Sequence, residues 1–266
     1  MGLFSKLKRS GSNDSGEERL KKLISESEKE YPLSKYSPGE LYQEGVKLLD
    51  ANKTDKALAL YLRLANMGMP AAQYACGAIY GEKMNSPADA LHWFELAAAN
   101  GVTEAQFKCG EMYARGLGTA VDRAKSFHWF EKAAWQGDRL AQFNCGAMYN
   151  TGDGTTRDPS KALYWFEKSA ENGLKEAQFN CGAMYNAGEG TAVDNEKALY
   201  WLKAAAEQGH ARAQYNLAIM YFNGEGIQKD LKESVAWLAR ASSQDDDPNV
   251  KKAAVDLLKQ IAQAAN

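Results

Sequence analysis

The sequence predicts an all-α solenoid of stacked helix-turn-helix repeats, about six hairpins followed by a C-terminal capping helix. Three observations carry that reading. A tryptophan returns every 36 residues, at Trp93, Trp129, Trp165, Trp201 and Trp237. The segments that begin at Ala105, Ala141, Ala177 and Ala213 can be laid on one another without gaps, and a weaker copy begins at Ala72. Each of the four full copies ends in a pair of glycines and continues to an aspartate at a fixed offset. A fixed period of roughly 20 to 50 residues marks units that cannot bury a core alone and must stack on their neighbours. Such architecture points to binding rather than catalysis.

Residues 1–36 read as a polar, disordered N-terminal tail. They hold a short basic start, a polar run over 10–16 and a charged stretch over 17–30 with few apolar residues, enough at most for a transient helix. Order begins at Ser37-Pro38-Gly39-Glu40, which supplies an N-cap, a proline at the first helical position and a glutamate three residues past the cap. One continuous repeat domain then spans 37–266. Its repeats fall at about 37–70, 71–103, 104–139, 140–175, 176–211 and 212–247, with the capping helix at 248–264.

The first hairpin turns tightly at Asn52-Lys53, and the second has a short loop over 81–85 before Ser86-Pro87 restarts the helix. The later repeats carry a longer loop. There Gly116, Gly152, Gly188 and Gly224, each followed two residues on by Gly118, Gly154, Gly190 or Gly226, end the first helix, because glycine tolerates the left-handed conformation that closes it. Asp122, Asp158, Asp194 and Asp230 accept hydrogen bonds from the orphan amides that open the second. The spacing fits neither a Walker loop nor an EF-hand, so these loops are caps and not phosphate or calcium sites. Asp247-Pro248 opens the last helix, whose Val250, Ala253, Ala254, Leu257, Leu258 and Ile261 lie at helical spacing and cover the end of the final repeat.

The 32 basic and 34 acidic residues nearly cancel, which argues against a nucleic-acid partner. No run approaches the roughly 18 apolar residues of a membrane span, and the start lacks the apolar core of a secretory signal, so cytoplasmic residence is expected. Met1-Gly2-Leu3-Phe4-Ser5-Lys6 resembles an acylation signal but has Lys6 where that motif requires Ser or Thr. Membrane contact could come only through residues 1–9, where Leu3, Phe4 and Leu7 are interleaved with Lys6, Lys8 and Arg9. Cys76, Cys109, Cys145 and Cys181 occupy one repeat position. Successive copies are separated by at least a helix packing distance of roughly 8–10 Å, whereas a disulfide needs Cα atoms within about 7 Å. The cysteines therefore read as small core fillers, without bridges and without a zinc site.

The unit pattern is best seen in Ala177, Gly182, Tyr185, Gly188, Gly190, Asp194, Lys197, Ala198, Trp201, Ala204, Ala205 and Gly209. It resembles the Sel-one-like repeat family, a branch of the tetratricopeptide-like α-solenoids, with four good copies over 104–242. The resemblance implies a right-handed superhelix and an adaptor role, since family members serve in pathways as different as bacterial signalling, secretion, effector neutralisation and eukaryotic protein degradation. Secreted cysteine-rich relatives carry two bridged cysteines per unit. This chain has one, which supports a reducing, cytosolic setting.

At 100° per residue, Ala105, Gln106, Cys109, Gly110, Met112 and Tyr113 share one broad core face, with Lys108, Glu111 and Arg115 opposite and Phe107 and Ala114 at the margin. Similarity to tetratricopeptide solenoids implies that this opposite side lines a concave groove. The groove candidates are thus Phe107, Lys108, Glu111, Arg115, Phe143, Asn144, Asn150, Phe179, Asn180, Asn186, Tyr215, Asn216 and Phe222. A row of Asn144, Asn180 and Asn216 suits an extended peptide, because each amide can donate to and accept from a peptide group. Bonding within or between repeats is the alternative use of these amides.

The periodic tryptophans are expected to fill the space between repeats. Trp135 is off-register and replaces a small or polar residue; packing under the following loop is its expected fate, with a surface anchor as the alternative. His92 and His128, with Glu95 and Glu131 three residues later, are the best catalytic or metal-binding material. Their repeat equivalents Tyr164 and Tyr200 are aromatic, which favours packing or an exposed outer surface. The chain therefore reads as a monomeric, non-catalytic scaffold for another protein or peptide segment, with no cofactor and no metal. A membrane-proximal adaptor recruited by the N-terminus is the alternative, and an enzyme a remote one.

Overall fold

The structure is a computed structural model, and it describes residues 14–245 and 247–264. Among the described residues there are fourteen helices and no strand. Where the sequence predicts one continuous array, the chain divides into two compact units, residues 1–136 and 137–266.

The first unit holds α1 (Asp14–Glu30), α2 (Pro38–Asp50), α3 (Thr54–Asn66), α4 (Pro70–Glu82), α5 (Pro87–Ala99), α6 (Thr103–Arg115) and α7 (Arg123–Trp135). Helices α2 and α3, α4 and α5, and α6 and α7 form three hairpins, and each second helix packs on the first helix of the next hairpin. The Ser37 capping box forms as predicted, with its hydroxyl accepting from the Glu40 amide and the Glu40 carboxylate accepting from the Ser37 amide. The tight turn also forms, with Asn52 at φ 56°.

The N-terminal segment departs from expectation. From Asp14 to Glu30 it is a helix packed on α3, not a disordered tail. Leu20, Ile24 and Tyr31 rest on the core, and the buried Arg63 of α3 holds the end of α1. One guanidinium nitrogen donates to the Ser27 carbonyl at 2.8 Å and to its hydroxyl at 3.2 Å, and the other donates to the Tyr31 carbonyl at 2.9 Å. The Tyr31 carbonyl lies past the helix end, where such donors are needed, while the Ser27 carbonyl also accepts from the Tyr31 amide at 2.8 Å, and burial of Arg63 pushes its pKa below the usual guanidinium value. Leu3, Phe4, Leu7 and the neighbouring basic residues lie outside the described residues.

The second unit holds α8 (Arg139–Thr151), α9 (Pro159–Glu171), α10 (Lys175–Ala187), α11 (Asn195–Glu207), α12 (Ala211–Asn223), α13 (Leu231–Ser242) and α14 (Pro248–Ala264). It repeats the same pairing, and α14 packs on α13 and α12. Asp158, Asp194 and Asp230 cap α9, α11 and α13, as Asp122 caps α7. Gly152, Gly188 and Gly224 adopt the left-handed conformation at the ends of α8, α10 and α12. The second glycine of the pair has a tertiary role that the sequence did not reveal. A Cβ on Gly190 would lie 2.4 Å from the Pro159 carbonyl oxygen, so the loop after α10 can rest on the start of α9 only with glycine there.

Two side-chain patterns unite neighbouring hairpins within each unit. A glutamine in the first turn of α6, α10 and α12 donates to a carbonyl near the end of the preceding helix: Gln106 to Ala98 at 3.1 Å, Gln178 to Ala170 at 3.3 Å, Gln214 to Ala206 at 3.1 Å. Its amide oxygen accepts from the residue that ends its own hairpin, Gln136 for Gln106 and Gln208 for Gln178. Buried amides left unpaired would each cost about 1–3 kcal/mol, so this ladder fixes the stacking register. In the second pattern a tyrosine reaches a glutamate 18 residues earlier, Tyr113 to Glu95 and Tyr185 to Glu167. Tyr80 has Leu62 at that offset, and its buried hydroxyl is without a partner.

Core packing explains the glycine after each cysteine. A Cβ on Gly146 would lie 2.6 Å from the Phe166 ring, and one on Gly110 the same distance from Phe130. None of the four cysteines is in a disulfide and all four are buried, and burial pushes the Cys109 and Cys181 thiols up. Gly146→Ala should gain about 1 kcal/mol in helix propensity and lose about 1–3 kcal/mol to overpacking. The expected net is destabilisation by up to about 2 kcal/mol in urea unfolding, recovered in part by adding Phe166→Leu. The last hairpin already uses that combination, with Ala218 and Leu238 both fully buried.

Candidate binding face

The first helices of each unit carry the residues that the sequence assigns to the partner-facing side. In the first unit Lys108 is exposed and pairs with Glu111 at 3.0 Å, one turn away on α6, and Arg115 is exposed at the end of the helix. Phe107 is half-buried, its ring centroid 5.4 Å from that of Phe130. This aromatic position therefore serves hairpin packing as well as the face, and Phe143 does the same against Phe166 at 5.6 Å.

In the second unit Asn144, Asn180 and Asn216 stand at the same turn of α8, α10 and α12, each half-buried. Among the described residues none of the three amides has a hydrogen-bond partner. The alternative of bonds within or between repeats is not realised; the glutamine ladder performs that function. Asn150 is half-buried and its side-chain oxygen is enclosed without a partner. Asn186 is exposed and Tyr215 half-buried. Phe222 lies beneath the Lys229 ammonium, 5.2 Å from its ring centroid.

The structure adds residues that sequence reasoning missed. A cavity of about 370 Å³ opens at the first turns of α10 and α12 and reaches the start of α14. Phe143, Phe179 and His210 supply its aromatic wall, and Lys175, Glu176, Asn180, Arg212 and Asp247 its polar rim. His210 caps α12: its Nδ1 accepts from the Ala213 amide at 3.2 Å, which leaves the ring proton on Nε2. Its imidazole stacks on Phe179 with centroids 4.6 Å apart and planes 18° from parallel. Arg212 donates to Asp247 at 2.7 Å, and that hydrogen bond, with the Val250 amide, holds the Asp247 carboxyl below the usual range. The signal was present in the repeats themselves, since His210 stands where Val102 and Leu174 stand in other copies. Of the predicted groove residues the cavity brings together Phe143, Phe179 and Asn180.

The other candidates are not among the residues that line this cavity. Trp93 and Trp165 are 4% and 3% exposed, as expected for rings between repeats, and Trp129 and Trp201 are half-buried. Trp135 is 66% exposed, which overturns its expected packing under the following loop. Histidines His92 and His128 lie edge-on to Trp93 and Trp129. Glu95 is committed to Tyr113. Among the described residues no group of three or more His, Cys, Asp or Glu is placed to hold a metal, and no helix is long and apolar enough to cross a membrane.

Six consecutive segments, residues 34–69, 70–102, 103–138, 139–174, 175–210 and 211–246, match the Sel1 repeat. The chain is similar in structure to c5321, a protective antigen of uropathogenic Escherichia coli strains with an SLR fold, at 31% identity and a TM-score of 0.71. The match covers 85% of this chain and 49% of the E. coli chain, so this chain spans about half of that protein's length. It is also similar to a Sel1 repeat protein from Oxalobacter formigenes, at 26% identity and a TM-score of 0.69, over 82% of this chain and 98% of the other. Among curated proteins there is no match.

Proposed function

This chain belongs to the Sel1 repeat family, whose members are in general protein-interaction scaffolds, and on that premise we propose that its first-helix face binds an extended segment of another protein. It does so as a non-catalytic adaptor in the cytoplasm. The observation that carries this reading is the row of Asn144, Asn180 and Asn216, half-buried and without partners among the described residues. A half-buried amide loses part of its hydration, and a peptide backbone offers the donor and acceptor that restore its bonds. Small neighbours favour close approach of a chain, with Ala147 and Ala183 half-exposed beside the asparagines.

The test is capture from a lysate of the source cell by the full chain and by a variant with Asn144, Asn180 and Asn216 changed to alanine. Each hydrogen bond contributes about 0.5–1.5 kcal/mol, so the triple variant should bind the identified partner at least about tenfold more weakly. Its circular dichroism should be unchanged, because the three amides hold no other part of the fold. Equal binding by both proteins would move the site to another face.

A further inference from the structure

We propose that the cavity at the first turns of α10 and α12 receives an aromatic side chain of the bound segment. This rests on the reading of the first-helix face given above and names the anchor that the face selects. Phe179 and His210 already form a parallel stack at 4.6 Å, and with Phe143 they give the cavity an aromatic wall. A planar ring extends such a stack, whereas an aliphatic side chain leaves the ring faces unmatched. The volume of about 370 Å³ lies at the low end of ligand pockets, which run roughly 300–1,000 Å³, and suits one large side chain better than a folded element.

Charge selects in the same direction. The rim carries Lys175 and Arg212 against Glu176 and Asp247, so the formal charges cancel, and Arg212 and Asp247 are bonded to each other. An ion of either sign would meet a like charge as well as an opposite one, and would lose hydration on entering. A neutral ring meets neither penalty. Lys175 and the Asn180 amide have no partner among the described residues and lie at the rim, where they can bond a phenolic oxygen or the adjoining peptide group. Enclosed aromatic anchors of this kind dominate segment recognition.

A random peptide library displayed on phage and selected on the full chain tests the idea. Three proteins are compared: the wild type, the triple asparagine variant and His210→Asn. Asparagine caps helices as well as aspartate does, and Asp138 fills the equivalent capping position of α8, so His210→Asn keeps α12 and removes the ring. We expect selected peptides to share one Tyr, Phe or Trp, to lose binding in the triple variant, and to bind His210→Asn about five- to tenfold more weakly. Peptides lost in the triple variant but sharing an acidic, basic or aliphatic residue would overturn the aromatic anchor and leave the groove standing. Aromatic peptides that bind His210→Asn as well as wild type would do the same. A selection that yields no peptide sensitive to the asparagines would overturn both.

Discussion

Arg63→Ala is expected to release α1 from the first unit at a cost of about 3 kcal/mol, the scale of losing a buried charged donor and leaving its acceptors bare. The guanidinium makes three contacts to the end of α1, to the Ser27 carbonyl, the Ser27 hydroxyl and the Tyr31 carbonyl. Arg19–Asp55 and Lys56–Glu30 are surface pairs, which typically contribute under about 1 kcal/mol each. The remaining apolar contacts come from Leu20, Ile24 and Tyr31. Because α1 can detach and rehydrate its own carbonyls, the loss should stay local. Amide hydrogen exchange should show protection vanish over Asp14–Glu30 while α4 to α7 keep theirs. Arg63→Lys should fail to rescue, since one ammonium cannot span the Ser27 and Tyr31 carbonyls as the guanidinium fork does. Unchanged exchange in α1 would show that its apolar face alone holds it.

Trp165→Ala should destabilise the second unit by about 3–5 kcal/mol, the cost of emptying a buried aromatic site. Trp165 is 3% exposed in the middle of α9. Trp135→Ala is the control: at 66% exposure its removal should change stability by no more than about 0.5 kcal/mol. Denaturant unfolding of the two variants, followed by circular dichroism, measures both. Similar losses for the two would mean that Trp135 is bound into the fold more tightly than its exposure implies.

Features set by neighbours in sequence were legible before any coordinates. The Ser37 capping box, the aspartate caps and the left-handed glycines each satisfy a helix end with a group a few residues away. What stayed hidden depends on distant residues. Gly190 is constrained by the Pro159 carbonyl of the preceding hairpin, and α1 packs on α3, where Arg63 donates to the Ser27 and Tyr31 carbonyls. The binding face divides in the same way. Asn144, Asn180 and Asn216 were found because they repeat. His210, Lys175 and Arg212 were not, because the cavity gathers them from the starts of two helices, at positions that vary from repeat to repeat.

The glutamine ladder has a bearing on how such a chain changes length. Gln178 reaches back eight residues to one partner and accepts from a residue thirty ahead, and Gln214 uses the same two offsets. Excising one full period from between two such glutamines therefore brings together ends with the same donors and acceptors as before. Shorter or longer excisions break the rungs that span the junction and strand their buried amides. Insertion and loss of genetic material are thus filtered by hydrogen bonding into whole-period steps, and the number of binding positions on offer can drift without the fold being reinvented.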